Sequence, residues 1–475
     1  MASTKRSIIS PVLLSGALIL LMVALRAFYL SFTIDESITY TILQGNETQL
    51  TTANHHILNT FLMRISSAIF GEGEFALRLP NVLLCAVYIL FVFRILKNEK
   101  HEAAVLLGAF VLLWNPFLVD FFSLARGYGL SIGFMMGSLY FFLRTGMVKH
   151  TFKSYINDMT LCIVMAILAM FSNLSTINFF MTILFLCIAQ YYWLTKNSEG
   201  INKKNHVQFS IIILLAIVPL ILAIRRLLFL KELKQLYFGV DSFSDTLATL
   251  YINVLERFNN FYILTTVVCI ILVLSVIIVV VKKRFDSPLF KLLLILGMLV
   301  IATIAQHILF DAKYPAERTA MYFVPVFGLI VYYLSSEFYL HFSSKVARIS
   351  GTVIILAIMT IITLNFFKWA DTGAQYTKVW KFDAHTSDVA ATIESLTDKE
   401  KGEKVTLSNH WLFESTLNYY INSQSLHIET ALHDPDSTTT FVYNFTDQFE
   451  FDTTQYEVIE TYDDIGTSLY RKVLE

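Results

Sequence analysis

"SIISPVLLSGALILLMVALRAFYLSFTIDESITY", residues 7–40, decides the class of this protein. From Ile8 to Thr33 the chain is apolar, with Arg26 its one charge, and then it meets two adjacent acids, Asp35 and Glu36. A run of this length crosses the roughly 30 Å of a bilayer's hydrocarbon. It is too long for the core of a secretory signal, and no small-residue cleavage site precedes the acids, so a retained first span is expected.

The pattern recurs along the chain. Further apolar stretches fall at 80–96, 103–118, 127–145, 156–172, 175–195, 207–224, 261–281, 288–309, 321–340 and 348–367, about eleven spans in all. The short "SNLS" at 172–175 leaves room for a re-entrant hairpin. Composition agrees: the 475 residues are 55% hydrophobic and 15% charged, with a mean hydropathy of +0.59, whereas soluble domains are about a quarter charged. Forty Phe and 23 Tyr suit lipid-facing and interfacial positions. Cys85, Cys162, Cys187 and Cys269 all lie inside apolar runs, as small buried hydrophobes do. There is no nucleotide-binding loop, and nothing points to nucleic acid.

Cations near span ends set the orientation. With the N-terminus in the cytoplasm, the inner loops are "KNEKH", "RTGMVKHTFK", "TKNSEGINKKNH", "VKKRFDSPLFK" and "SSKVAR", each carrying Lys or Arg. The opposite face then receives the acid pair, residues 37–79, Asp120 with Arg126, 225–260, 311–320 and everything past 368. Two of these segments are too long to be connections. Residues 37–79 contain "ILNTFLMRISSAIFGEGEFALRLP", whose apolar residues recur at helical spacing, so a helix along the membrane surface is expected. Residues 370–475 turn rich in Asp, Glu, Thr and Ser, and mix a helical pattern ("SDVAATIESLTDKEK") with strand-like runs ("KVTLSN", "TTTFVYNF", "YEVIETY"). The expected organisation is a transmembrane part, 1–369 with its first outer loop at 34–79, and a small extracytoplasmic α/β domain, 370–475.

Charged groups near hydrocarbon usually face a cavity or one another. Asp35 and Glu36 at the exit of the first span, Asp120 and Arg126 in "NPFLVDFFSLARGYGLS", and Arg318 in "DAKYPAERTAMYFVP" are all assigned to the same face. Together they suit a reaction on a lipid-linked phosphate, in which an acid activates a nucleophile and Arg grips phosphate with two N–H groups. Plainer readings stand beside this: a solvated helix exit for the acids, a structural ion pair for Asp120 and Arg126, and an Arg318 that reaches for headgroups. Arg225 and Arg226 read as headgroup contacts, and Arg26 as a partner inside the bundle. His55 and His56 are neighbours whose side chains diverge, a poor pair of metal ligands; no metal site is assigned, though a need for a divalent ion stays open.

Taken in order, the acid pair, "HHILNTFLMRISSAIFGEGEFALRLPNVLL" and "NPFLVDFFSLARGYGL" resemble the polyprenyl-phosphate-sugar-dependent glycosyltransferases of the GT-C membrane fold, which include protein O-mannosyltransferases and lipid A aminoarabinose transferases. The most specific element is "FGEGEFALRLP", residues 70–80, against that family's "FG-x-x-E-x-A-x-R-L-P". The resemblance implies an inverting transfer of sugar from a polyprenyl phosphate to a protein, lipid or glycan acceptor on the extracytoplasmic face of the membrane, and the style of the loops points to a bacterial inner membrane. Asp35 is then the general base, with Glu36 its partner or substitute. Arg126, Tyr128 and Arg318 serve the lipid phosphate, Asp120 is less securely matched, and His56 matches the family's histidine. "HHILN" departs from the family's His-Pro-Pro-Leu turn, so the geometry there is open. The rival reading is a multi-spanning transporter or lipid flippase. Against it, no halved repeat appears and most charges gather at one face. A scaffold without activity and a transferase using a diphosphate donor are weaker alternatives.

Overall fold

The computed structural model describes residues 2–145, 152–197, 203–342, 344–397, 404–431, 435, 438–447 and 453–473. Parts of the expected inner loops, 146–151, 198–202 and 343, lie outside the described residues, as does the end of the "SDVAATIESLTDKEK" pattern. The chain divides into two compact units, one of residues 1–24, 56–59 and 80–371, the other of 25–55, 60–79 and 372–475.

The helices run in order α1 (Ala2–Tyr29), α2 (Ile34–Leu43), α3 (Ile57–Phe70), α4 (Glu74–Leu96), α5 (Glu102–Leu113), α6 (Pro116–Phe122), α7 (Gly127–Arg144), α8 (Phe152–Ser172), α9 (Ile177–Asn197), α10 (Lys203–Glu232), α11 (Phe243–Val254), α12 (Phe261–Val281), α13 (Pro288–Phe310), α14 (Phe323–His341), α15 (Lys345–Gly373), α16 (Thr386–Leu396) and α17 (Trp411–Gln424). Among the described residues nine helices are long and apolar enough to cross a membrane, or ten if α5 and α6, bent by 51° at their junction, form one broken span. The stretch expected to span at 127–145 is α7, whose glycines, serines and tyrosines lower its hydropathy and whose faces are nearly all buried. The "SNLS" break is a 3₁₀ turn, Leu174–Thr176, capped by the Asn173 side chain; α8 and α9 are each long enough to span.

In the larger unit α5 packs on α14, where Ala104, Leu107, Val331 and Tyr339 meet Ile355 of α15. α12 keeps little of its apolar surface inside the protein, as a lipid-facing helix should. α10 continues to Glu232, beyond the expected end at 224. Arg225 and Arg226 therefore lie inside a helix, not after it, because apolar Leu227–Leu230 carry the turn pattern on until Lys234 adopts a left-handed φ of 55°.

In the smaller unit a five-stranded sheet has the order β2–β1–β3–β5–β4, from β1 (Val405–Asn409), β2 (Ile428–Ala431), β3 (Phe441–Phe445), β4 (Tyr456–Tyr462) and β5 (Thr467–Lys472). β1 pairs in parallel with β2 and β3, while β5 is antiparallel to β3 and β4. α16 and α17 pack together, and α17 also packs on α2. On α17 the buried residues Phe413, Thr416, Leu417 and Tyr420 follow an i, i+3, i+4, i+7 stripe.

α3 has its apolar side outward. Ile57, Phe61, Ile65 and Ile69, one helical turn apart, are exposed, whereas Asn59, Thr60 and Ser66 are buried. This is the surface helix that the sequence spacing predicts, with its oily stripe free to meet lipid.

Candidate active site

The acid pair does not sit in a loop. α1 ends at Tyr29, and Thr33 starts a new helix as its N-cap, with Asp35 and Glu36 in the first turn. Thr33 accepts a hydrogen bond from the Glu36 amide, and Glu36 accepts in return from the Thr33 amide at 3.0 Å. Acids in a first turn also face the positive end of the helix dipole.

Adjacent in sequence, the two carboxylates have different surroundings. Glu36 is fully buried and takes two parallel hydrogen bonds from Arg78, Nε to Oε1 and Nη2 to Oε2, both 2.8 Å. The remaining Arg78 donors go to backbone carbonyls at the end of α1: Nη1 to Leu30 at 2.7 Å and Ala27 at 3.3 Å, Nη2 to Ser31 at 2.9 Å. A guanidinium has five N–H donors, and here all five are used. Arg78 thus closes the C-terminus of α1, whose last carbonyls would otherwise lack donors, and fastens it to the start of α2. Asp35 is half-buried, and its Oδ1 accepts from Asn54 Nδ2 at 3.1 Å.

Residues of the C-terminal part surround the same corner. The Ile34 amide donates to Asp383 Oδ2 at 2.8 Å, and Thr416 Oγ1 donates to Asp383 Oδ1 at 3.1 Å. The Phe32 amide donates to the Tyr420 hydroxyl at 2.7 Å, and that hydroxyl donates to Glu74. The Phe32 ring stacks on Tyr419 with centroids 4.0 Å apart. Ser31 Oγ donates to the Ala384 carbonyl at 2.8 Å. Burial pushes the Asp383 carboxyl well above its ordinary range, only partly offset by its two hydrogen bonds. The Tyr420 phenol is likewise pushed well up, by burial first and then by the Glu74 charge. Tyr40 bonds Glu72, and the Tyr419 hydroxyl donates to the Glu72 carbonyl at 2.9 Å.

In the larger unit three of the expected site residues come together. Arg126 is the N-cap of α7 and is fully buried. Its Nη2 lies 3.2 Å from His56 Nε2, and the His56 and Tyr128 rings meet edge to face at 4.9 Å. Arginine only donates, so His56 Nε2 accepts and the imidazole carries its proton on Nδ1. The Arg126 guanidinium also lies 6.0 Å from the centre of the Tyr128 ring. The loop is tied from both sides: Asn59 Nδ2 donates to the Ala125 carbonyl at 2.8 Å, Asn81 Nδ2 to Asn59 Oδ1 at 3.1 Å, and the Leu130 amide to Asn81 Oδ1 at 3.1 Å. Gly127 makes the approach feasible, because a Cβ there would stand 1.8 Å from the Ser172 carbonyl and 2.7 Å from the His56 ring. Asp120 is buried on α6 just upstream. Arg318, partly exposed, lies 4.6 Å over the Phe238 ring and 3.8 Å from Glu317. Among the described residues no three His, Cys, Asp or Glu side chains gather closely enough to hold a metal ion.

Residues 54–222 match the family model described as dolichyl-phosphate-mannose-protein mannosyltransferase. Two crystal structures of ArnT from Cupriavidus metallidurans share the architecture, both at 12% identity. The apo form superposes with TM-score 0.58 over 100% of this chain and 99% of that one. The form bound to undecaprenyl phosphate gives TM-score 0.59 over 98% of each. The fold is that of a GT-C glycosyltransferase. No curated protein sequence matches the chain. Within this GT-C fold Arg78 and Glu74 carry the motif that the sequence marked, whereas Asp383, Thr416 and Tyr420 had no sequence signal tying them to the corner.

Proposed function

We propose that the protein transfers a sugar from a polyprenyl phosphate to an acceptor on the extracytoplasmic side of a membrane, inverting the anomeric carbon. The observation that carries this reading is the likeness, along nearly the whole of both chains, to an ArnT structure holding undecaprenyl phosphate. The cations of the expected inner loops support the sidedness.

Of the two acids, Asp35 is the general base. Glu36 has both oxygens committed to Arg78, whereas Asp35 is half-buried and on the first turn of a firmly capped helix. Asp35 would take the proton from the acceptor hydroxyl or amine as it attacks. The bond from the anomeric carbon to the phosphate oxygen breaks on the opposite face, and the phosphate leaves with the electron pair. A phosphate anion needs no proton to depart, so one base and a cation for the leaving group suffice. Arg318, partly exposed, and Arg126, seated against His56 and Tyr128, are assigned to that charge.

The test is to incubate purified protein and extracytoplasmic membrane extract with radiolabelled undecaprenyl-phosphate mannose or undecaprenyl-phosphate aminoarabinose and follow release of undecaprenyl phosphate. Consumption of one donor, lost in Asp35→Asn, is expected. Full turnover by Asp35→Asn would remove the base from this account.

A further inference from the structure

Three of the four residues that lead into Asp35, namely Ser31, Phe32 and Ile34, are held by the C-terminal part of the chain. Ser31 bonds the Ala384 carbonyl, the Phe32 amide bonds Tyr420 and the Phe32 ring lies on Tyr419, and the Ile34 amide bonds Asp383. Ile34 is the first residue of α2, so Asp383 occupies the place of a carboxylate at a helix N-terminus, where free backbone N–H groups and the dipole favour it. Asp383 itself is held from behind by Thr416 on α17. Every one of these groups belongs to the same compact unit as Asp35.

We propose that the C-terminal domain is a clamp on the catalytic corner and that Asp383 is its positioning residue, fixing the first turn of α2 and so the direction of the Asp35 carboxylate. The proposal rests on Asp35 being the base. A base misplaced by about an ångström can lose a hundredfold in rate, while the backbone from 31 to 33 contains no regular structure of its own to resist such a shift. The sheet and its two helices supply that resistance from outside the loop.

The experiment compares Asp383→Ala and Asp383→Asn in the full-length protein in detergent. Asparagine preserves both contacts, accepting from the Ile34 amide with its carbonyl and donating to Thr416 with its amide; alanine preserves neither. Hydrogen exchange over the peptide 31–40, which needs no substrate, should be at least about tenfold faster in Asp383→Ala and near wild type in Asp383→Asn. With the donor lipid that the radiolabel test identifies, kcat should fall at least about tenfold in Asp383→Ala with KM for that lipid unchanged, and should recover in Asp383→Asn. Unchanged exchange in Asp383→Ala, or wild-type kcat despite faster exchange, overturns the clamp. If Asp383→Ala loosens the whole protein, Tyr420→Phe decides, since it leaves Asp383 in place and removes the acceptor of the Phe32 amide together with the hydroxyl's bond to Glu74; wild-type exchange there overturns the proposal. Asp35→Asn run in parallel separates the two claims. An active Asp35→Asn sinks the base, and an inactive Asp35→Asn beside an unaffected Asp383→Ala sinks only the clamp.

Discussion

The corner around Glu36 and the turn around Arg126 hold their backbones in different ways. At the first, a carboxylate and a guanidinium face each other with no exposed surface, and the spare donors are spent on helix-end carbonyls. At the second, a buried guanidinium lies beside a histidine and a tyrosine ring, and the backbone is held by two asparagines. The first arrangement gives rigidity, because removing either partner strands a buried charge. The second holds its backbone through the uncharged side chains of Asn59 and Asn81, the one reaching Ala125 just before α7 and the other Leu130 within it.

The largest effect should come from the proposed base. Asp35→Asn lowers the transfer rate by about a hundred- to ten-thousandfold, the range of general base catalysis, with KM for the donor little changed; Glu36→Gln, if it lost as much at full stability, would erase the contrast between the two acids. Next comes the ion pair. Arg78→Ala should cost about 3–5 kcal/mol against about 1–3 kcal/mol for Asn81→Ala, which removes the acceptor of the Leu130 amide and the donor to Asn59; unfolding of purified variants in detergent reads both, and equal costs would break the comparison. Gly127→Ala forces the α7 start away from Ser172 and His56 and should cost about 1–3 kcal/mol as overpacking, with activity falling alongside.

Acid chemistry at Asp383 sharpens the same comparison. Its folded carboxyl binds a proton more tightly than the unfolded one, whose pKa is about 3.9. Stability from this group is therefore full below about pH 4 and is lost as pH rises towards the folded value. Asp383→Asn should thus be at least as stable as wild type at neutral pH, with the gap closing as pH falls to 4. The smallest effect is Thr33→Ala, about 1 kcal/mol for a lost N-cap.

Much of this was legible in the residues. Apolar runs gave the spans because hydrocarbon demands length and composition, and the period along 57–70 gave the surface helix. "FGEGEFALRLP" flagged the segment that supplies Arg78, though not its partner, since nothing local says which acid an arginine will meet. The continuation of α10 past 224 was hidden by its two arginines, which read as an exit and are instead carried within the helix. α17 did carry a signal, the stripe at Phe413, Thr416, Leu417 and Tyr420, masked by weak helix formers such as Asn, Ser and Thr. Asp383 carried none: its partner amide is 349 positions away, and tertiary contacts at that distance leave no period to read.

Arg78 has one more implication. It sits on α4 and grips the final carbonyls of α1 together with the acid beside Asp35. Whatever tilts either of those helices must therefore drag the Asp35 carboxylate along. Lipid acyl length sets such tilts, so turnover in vesicles of short-chain and long-chain phospholipid should differ, and loosening the guanidinium grip with Arg78→Lys should flatten that dependence.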